Sequence, residues 1–268
     1  MVAGTRVVAT GIGLLPIYAR RNAKRNGLEN ITKMKIYIGY DSREHAAYEV
    51  CKYTLEKHSS IPLEIIPLKQ NDLRRVGLYR RAGVGGVDVF DGKPFATEFS
   101  FTRFLVPALN LYDGWAMFCD CDFLFRADVK ELFGLIDDRY PLMCVHHNFN
   151  PPKGSKMDGQ RQEPYNMKNW SSLILWNCSH VAHQNLTVDD VNTKPGGWLH
   201  AFSWVGNWVV GEIPEEWNWL VGASPTTSKG IGKDPKALHF TLGGPWFQSC
   251  QEVPYADEWL KAFSECSG

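Results

Sequence analysis

Short apolar runs alternate with segments of helical periodicity from Met34 onward, and few folds can accommodate such an alternation. Each run is short enough to be a buried strand and is bounded by polar or turn-forming residues. The alternation predicts an α/β fold with a mostly parallel central sheet flanked by helices, in which ligands bind beyond the carboxyl ends of the strands. The predicted strands are KIYIG (35–39), LEIIPL (63–68), WAMFCDCDFLF (115–125), PLMCVHH (141–147) and SSLILWN (171–177).

The segments between these runs have the spacing of helices. After the first strand, Ala46, Ala47, Val50, Cys51 and Thr54 recur on one helical face, and Asp41 or Ser42 is placed to cap that helix. The stretch TEFSFTRFLVPAL (97–109) predicts a helix that closes near Pro107. In DVKELFGLI (128–136), Asp128 and Glu131 have the spacing of a capping box.

A glycine-rich, polar stretch separates the second predicted strand from the next helix. It spans residues 70–95 and is too long for an ordinary turn. Long loops in compact domains are often functional, so this stretch is a candidate functional loop.

Composition excludes some classes of function. The chain of 268 residues carries 29 basic and 29 acidic side chains, so no excess of positive charge predicts binding to nucleic acid. The seven cysteines are an odd number without C-x-x-C spacing. This pattern argues against a disulfide framework or a zinc ribbon and favours a reducing, cytoplasmic setting.

The first 33 residues differ in composition from the rest. The apolar stretch VVATGIGLLPIYA is too short to cross a bilayer and contains Gly and Pro, so no transmembrane segment is predicted. The basic RRNAKRN follows it, whereas a signal peptide carries its charge before the apolar run. We expect residues 1–33 to be a poorly ordered extension and residues 34–268 to form a single domain; an Arg-rich targeting segment is the alternative.

Two aspartates interrupt the apolar run FCDCDFLF. Buried carboxylates need a partner or a metal ion, and Asp120 and Asp122 share one face if the strand continues through them. They fall where the strand leaves the core. Two hard oxygen ligands at that edge suit Mg²⁺ or Mn²⁺ together with phosphate oxygens. The alternative is a strand end whose aspartates cap the following turn.

Several motifs, in order along the chain, resemble the glycosyltransferases of the A-type fold, and most closely those of family 8, the galactosyltransferase and glycogenin-like enzymes. The resemblance covers the chain from Met34 to about Trp246. The segments that carry it are YIGYD (37–41), SFTRFLVP (100–107), DCD (120–122), NWSSLILWN (169–177) and HFTLGGPW (239–246).

The resemblance implies roles for individual residues. It places Tyr40 and Asp41 beside the base of the nucleotide and Arg103 at the bound nucleotide sugar. It makes Asp120, Asp122 and His239 the protein ligands of Mn²⁺ or Mg²⁺, and it gives Ser171 and Ser172 contacts with the donor sugar. His146 and His147 are candidates for the acceptor side, with a solvated strand end as the alternative.

The chain also departs from the family pattern. Gly244 stands where the family usually has a lysine that binds the diphosphate, and Trp170 stands where it has an asparagine. The backbone N–H groups of Gly243 and Gly244 are candidates for close approach to a phosphate. No counterpart of the family's later acidic segment is evident, since only Glu212 is acidic there, so no nucleophile is assigned.

Lysines upstream of His239 offer a substitute for the absent cation. Lys229 and Lys233 lie in TSKGIGKDPKALHF (227–240), whose Gly, Ser and Thr content suits a mobile loop over a phosphate. We expect one of them to close over the donor as a lid. The alternative is a solvated surface loop.

The sequence therefore predicts a metal-dependent glycosyltransferase that moves a hexose from a nucleotide diphosphate sugar, a UDP-sugar by resemblance, to a glycan, lipid or protein acceptor, with retention of configuration. Two alternatives stay open. One is an inert nucleotide-sugar-binding protein of the same fold, which the missing lysine favours. The other is a metal-dependent nucleotidyltransferase, although GYDSRE (39–44) lacks the Gly-rich phosphate loop of that class.

Overall fold

Strands and helices alternate in the computed structural model as the sequence predicts. It describes residues 33–84, 87–148, 154–155, 161–162, 167, 169–224 and 234–268. The predicted extension lies outside these ranges except for Lys33, so it stays a prediction. Residues 31–268 form one compact unit.

The described residues contain thirteen strands and seven α-helices. The strands are β1 Met34–Gly39, β2 Leu63–Leu68, β3 Gly83–Val84, β4 Val87–Asp88, β5 Trp115–Cys119, β6 Phe123–Phe125, β7 Leu142–Cys144, β8 Gly154–Ser155, β9 Arg161–Gln162, β10 Leu173–Asn177, β11 Gly211–Glu212, β12 Trp219–Leu220 and β13 Ala237–His239. The helices are α1 His45–His58, α2 Gln70–Arg75, α3 Val106–Leu109, α4 Val129–Phe133, α5 Val188–Thr193, α6 Gly196–His200 and α7 Ala256–Ser267.

A six-stranded sheet forms the centre of the fold, with the order β11-β7-β10-β5-β1-β2. β1 pairs in parallel with β2 and β5, and β11 pairs in parallel with β7. β10 is antiparallel to both of its neighbours. The α/β class with a mostly parallel sheet is thus confirmed, and β5, which precedes the two aspartates, lies near the middle of the sheet.

Helices α1 and α7 close one side of the core. The predicted face of α1 is buried except for Ala46, which is half-buried, and Val50 packs with Trp259 and Ala262 of α7. Asp41 caps the 3₁₀ turn Ser42–Glu44, its carboxylate accepting the backbone N–H of Arg43, and not α1 as predicted; the N-cap of α1 is Glu44, whose side chain makes no capping hydrogen bond. α7 was not among the elements that the sequence predicted.

The stretch WAMFCDCDFLF is not one strand, and that prediction is wrong. β5 ends at Cys119, and β6 begins at Phe123 in a separate three-stranded sheet with the order β12-β13-β6. A continuous strand would carry both carboxylates into a sheet whose two faces are buried, at a high desolvation cost. The chain instead turns at residues 120–122, so Asp120 and Asp122 do not share a strand face.

Two helix predictions also need correction. Residues 97–101 are not helical: a 3₁₀ helix spans Thr102–Leu105, and Pro107 lies in the first turn of α3 rather than closing a helix. Proline fits that position because the first helical N–H groups need no partner within the helix. At α4, Asp128 accepts the N–H of Lys130, whereas Glu131 pairs with Lys236 instead of completing a capping box.

The stretch 70–95 is structured where the model describes it. It contains α2 and the two-stranded pair of β3 and β4. Fully buried Arg81 makes two hydrogen bonds to Asp88 and donates to the backbone oxygens of Val191 and Lys194 near the end of α5. A buried ion pair anchors this segment, which is therefore not a long irregular loop.

Within the described residues, no helix is both long and apolar enough to cross a membrane.

His183 is a fully buried histidine held as a neutral ring. Its Nε2–H donates to the oxygen of Pro141 at 2.8 Å, and its Nδ1 accepts the indole N–H of Trp204 at 3.3 Å. Burial lowers the pKa of His183 from 6.5 to about 4, although the Pro141 contact opposes the shift. Protonation at Nδ1 would break the bond from Trp204.

We expect the protein to lose stability in acid because of His183. Its pKa is lower in the folded state, so the unfolded chain takes up the proton first as pH falls below 6.5, and the lost stability is complete near the folded value of about 4. The free energy of unfolding should fall by about 2 kcal/mol between about pH 7 and about pH 5 from this group. Urea unfolding of the wild type and of His183→Gln, which keeps a donor for Pro141 but does not titrate, measures it. Equal pH slopes would contradict the assignment.

Candidate functional site

The two aspartates and His239 meet at the carboxyl end of β5. One ligand atom from each of Asp120, Asp122 and His239 lies within 4.8 Å of the others. Pairing of β13 with β6 places His239 opposite Phe123, and the backbone N–H of Phe240 donates to the backbone carbonyl oxygen of Asp122. The junction of the two sheets thus brings together side chains that are far apart in sequence.

The cluster is nearly buried and is rich in negative charge. The side chains of Asp120 and Asp122 are 14% and 11% exposed, and that of His239 is 2% exposed. Nε2 of His239 lies 3.4 Å from Oδ1 of Asp122. Two carboxylates and one imidazole form a donor set that fits Mn²⁺, an ion that also takes phosphate and water oxygens as ligands. This chemistry agrees with the predicted metal site.

Arg103 is locked against Asp120. Its Nη1 lies 2.8 Å from Oδ1 of Asp120 and donates to the backbone oxygen of Ser171 at 2.7 Å. The rings of Phe99 and Phe118 flank the guanidinium. The structure thus brings Arg103 to the aspartates, where it neutralises part of the charge of the cluster, and its predicted contact with a nucleotide sugar stays a prediction.

Ser171 and Ser172 lie beside Asp120, but both point into the protein. The oxygen of Ser172 accepts the N–H of Asp120 at 2.8 Å, and the hydroxyl of Ser171 contacts Nδ1 of His200 at 2.8 Å. Both serines are buried. Their predicted contact with a donor sugar is untested, and the contacts present are structural.

Tyr40 and Asp41 follow β1 on the same edge of the sheet. Asp41 is fully buried, and its carboxylate accepts hydrogen bonds from Arg43 and from the N–H of Glu98. Burial by itself would raise the pKa of Asp41, but the hydrogen bonds from Arg43 outweigh it, so the pKa is lowered. Tyr40 is half-buried, with Nζ of Lys69 4.7 Å from its ring centre. The role of both residues beside a base stays a prediction.

Packing explains why a lysine is absent at Gly244. A Cβ atom added to Gly244 would lie 1.9 Å from Cζ3 of Trp246. The N–H of Gly243, whose φ is +118°, donates to the oxygen of Phe240 at 2.7 Å. The N–H of Gly243 is therefore already engaged within the protein, so the N–H of Gly244 is the better candidate for contact with a phosphate. Lys229 and Lys233 lie outside the described residues.

An aromatic and histidine cluster adjoins the site. His146 stacks on Trp170 with ring centres 4.0 Å apart, and the indole N–H of Trp170 donates to the oxygen of His147. Burial, with the neighbouring His239, lowers the pKa of His147 to about 4, so its ring is neutral near neutral pH. Burial lowers the pKa of His146 from its usual value, and Glu212, exposed on the edge strand β11, opposes this shift. Neutral aromatic rings thus lie close to His239.

The remaining tryptophans divide between core and surface. Trp204, Trp217 and Trp219 are buried, whereas Trp208 is half exposed. Sequence reasoning missed Asn218, whose Oδ1 lies 2.8 Å from Nδ1 of His239. It also missed His200 as the partner of Ser171. No motif pointed to either residue, because both contacts join distant segments.

Comparison with solved structures assigns the fold. The chain superposes on the bifunctional glycosyltransferase WbbM with a TM-score of 0.56 at 15% identity, over 87% of this chain and 50% of WbbM. The glycosyltransferase GlyE of Streptococcus pneumoniae superposes with a TM-score of 0.55 at 16% identity, over 88% of this chain and 62% of GlyE. The galactosyltransferase LgtC, solved with donor and acceptor sugar analogues, superposes with a TM-score of 0.53 at 15% identity, over 87% of this chain and 96% of LgtC. The chain spans about half of WbbM and about three fifths of GlyE.

The chain has the glycosyltransferase A-type fold, and the resemblance to family 8 that its motifs suggest is supported. A scan of protein-family models finds no match. The chain belongs to the family of Protein CDI of Arabidopsis thaliana, to which it is 47% identical over 240 residues, 90% of each chain.

The two aspartates offer a direct test of the metal site. We expect Asp120→Asn and Asp122→Asn each to abolish Mn²⁺-dependent stabilisation by UDP, because each removes a charged oxygen ligand. A ligand present at 100 times its dissociation constant stabilises the native state by about 2.7 kcal/mol, which a thermal shift assay detects.

Asp137→Asn is the matched control for this test. Asp137 lies before β7, at the end of the sheet away from the carboxyl end of β5, and pairs with Arg139 on the surface. This variant should respond to Mn²⁺ and UDP as the wild type does. Mn²⁺-dependent stabilisation by UDP that persists in both site variants as in the wild type would rule out the metal site.

Proposed function

We propose that this chain is a metal-dependent glycosyltransferase that moves a hexose from a nucleotide diphosphate sugar, a UDP-sugar, to a glycan, lipid or protein acceptor, with retention of configuration. The observation that carries the proposal is the cluster of Asp120, Asp122 and His239 at the carboxyl end of the central strand β5. Ligands of open α/β sheets bind at that edge. The solved structures on which the chain superposes are glycosyltransferases, which supports a glycosyltransferase over a nucleotidyltransferase.

The residues of the cluster would hold Mn²⁺ through one carboxylate oxygen from each aspartate and through Nε2 of His239. When bound, the ion supplies Lewis-acid stabilisation of the negative charge on the departing diphosphate. Arg103 holds the carboxylate of Asp120 in place and contributes a positive charge beside it. The neutral His147 and the stack of His146 on Trp170 would form the wall against which the acceptor lies.

Gly244 favours a second candidate, an inert nucleotide-sugar-binding protein. Trp246 occupies the space that the side chain of a diphosphate-binding lysine would need. A site without that cation stabilises the departing diphosphate less, although it still binds the donor. The two functions predict the same ligand but differ in chemistry.

Release of nucleoside diphosphate distinguishes the candidates. The wild type with Mn²⁺ and a panel of nucleotide sugars should release nucleoside diphosphate slowly without an acceptor, by transfer to water. Asp120→Asn should abolish the release, and Asp137→Asn should leave it unchanged. Donor binding without any release would support the inert binder, and release of pyrophosphate from a nucleoside triphosphate would support the nucleotidyltransferase.

A further inference from the structure

His239 is held in one orientation by contacts on its face and on one edge. Its ring stacks on Phe123, with centroids 4.4 Å apart and planes inclined by 13°. Its Nδ1 edge lies 2.8 Å from Oδ1 of Asn218, a residue with no exposed surface. Its Nε2 edge faces Asp122. The partner on the Nδ1 edge decides which nitrogen carries the proton, because a neutral imidazole has one donor and one acceptor.

A chain of hydrogen bonds sets the direction of that contact. The hydroxyl oxygen of Ser172 lies 2.7 Å from the backbone oxygen of Asn169. Two oxygens at this distance need a proton between them, and the serine hydroxyl alone can supply it. Ser172 Oγ therefore presents a lone pair to the Asn218 side chain, whose Nδ2 donates to it at 2.9 Å. The amide is thus oriented with Oδ1 toward His239.

We propose that Asn218 is a positioning residue that keeps the proton of His239 on Nδ1 and so directs the Nε2 lone pair toward Asp120 and Asp122. An acceptor behind the distal nitrogen of a metal-binding histidine orients the ring and strengthens it as a ligand. The link to metal binding rests on the proposed function. The position of the proton does not, since it follows from hydrogen bonds that the protein makes by itself.

The same chain of contacts reaches a second metal ligand. The backbone oxygen of Ser172 accepts the N–H of Asp120 at 2.8 Å, so one residue supports both Asp120 and the amide behind His239. Asn169 has a left-handed backbone with φ of 64°, and its Oδ1 accepts the hydroxyl of Thr241, two residues after His239. Together with the backbone from His239 to Thr241, the contacts of Asn218, Ser172 and Asn169 close a loop. Ser172, predicted to contact the donor, acts in this loop as a support.

Substitution of Asn218 tests the role in metal binding. Asn218→Leu keeps the size of the side chain but removes the acceptor, and Mn²⁺ affinity measured by calorimetry without nucleotide should fall by about 10-fold to 100-fold. Asn218→Asp keeps an acceptor and should bind Mn²⁺ at least as tightly as the wild type. Rescue by aspartate separates positioning from packing, because both variants disturb the same buried space.

Asn192→Leu is the matched control. Asn192 is also buried, and its side chain makes three hydrogen bonds, to Arg80, Leu78 and Val188, away from the site. Its replacement should cost stability while leaving Mn²⁺ affinity unchanged. Asn218→Leu that binds Mn²⁺ as tightly as the wild type would overturn the proposal.

The proton position can be read without any metal. In protein labelled with ¹⁵N-histidine, long-range ¹H–¹⁵N spectra should show a protonated, pyrrole-type nitrogen at Nδ1 of His239, assigned by its loss in His239→Gln. An unprotonated Nδ1 of His239 would overturn the proposal, and this result needs no variant of Asn218 to fold. If the wild type bound no Mn²⁺, the metal-dependent function would fail, while this spectrum would still decide how Asn218 holds His239.

Discussion

Two neighbouring carboxylates that are nearly buried are the constraint on which the rest of the site depends. Leaving a carboxylate buried without compensation costs several kcal/mol, so the surrounding residues must supply positive charge or hydrogen-bond donors. Arg103 supplies positive charge to Asp120, whereas His239 turns Nε2, a ligand atom, toward Asp122. The backbone N–H of Asp120 is itself held by Ser172. The arrangement leaves a concentration of oxygen ligands that a divalent ion would complete.

The turn at residues 120–122 makes this arrangement possible. If β5 continued through the aspartates, their side chains would enter the buried faces of the central sheet. The break sends the chain into a second, smaller sheet, where β6 pairs with β13 and brings His239 to the aspartates. The metal ligands therefore come from the junction of two sheets, and their spacing depends on the register of that second pairing.

The packing of Trp246 has a consequence for charge. Its ring occupies the space above Gly244 and contacts Phe240 and Trp259, so it joins the site to the core between α1 and α7. A side chain at position 244 would displace this ring. Any cation besides Arg103 that compensates a bound diphosphate must therefore come from another segment of the chain. Lys229 and Lys233 remain the candidates that the sequence offers.

The sequence by itself determined the α/β class, five of the six strands of the central sheet and the aspartate pair as candidate ligands, because strand length, helical spacing and an aspartate in an apolar run are local signals. It also located His239 and Arg103 through motifs. Only the tertiary structure decided that WAMFCDCDFLF breaks into two strands and that the ring of Trp246 packs against Gly244. It alone placed Asn218 behind His239. These features depend on pairings between distant segments, and no local pattern of residues encodes which distant surface will fill a given space.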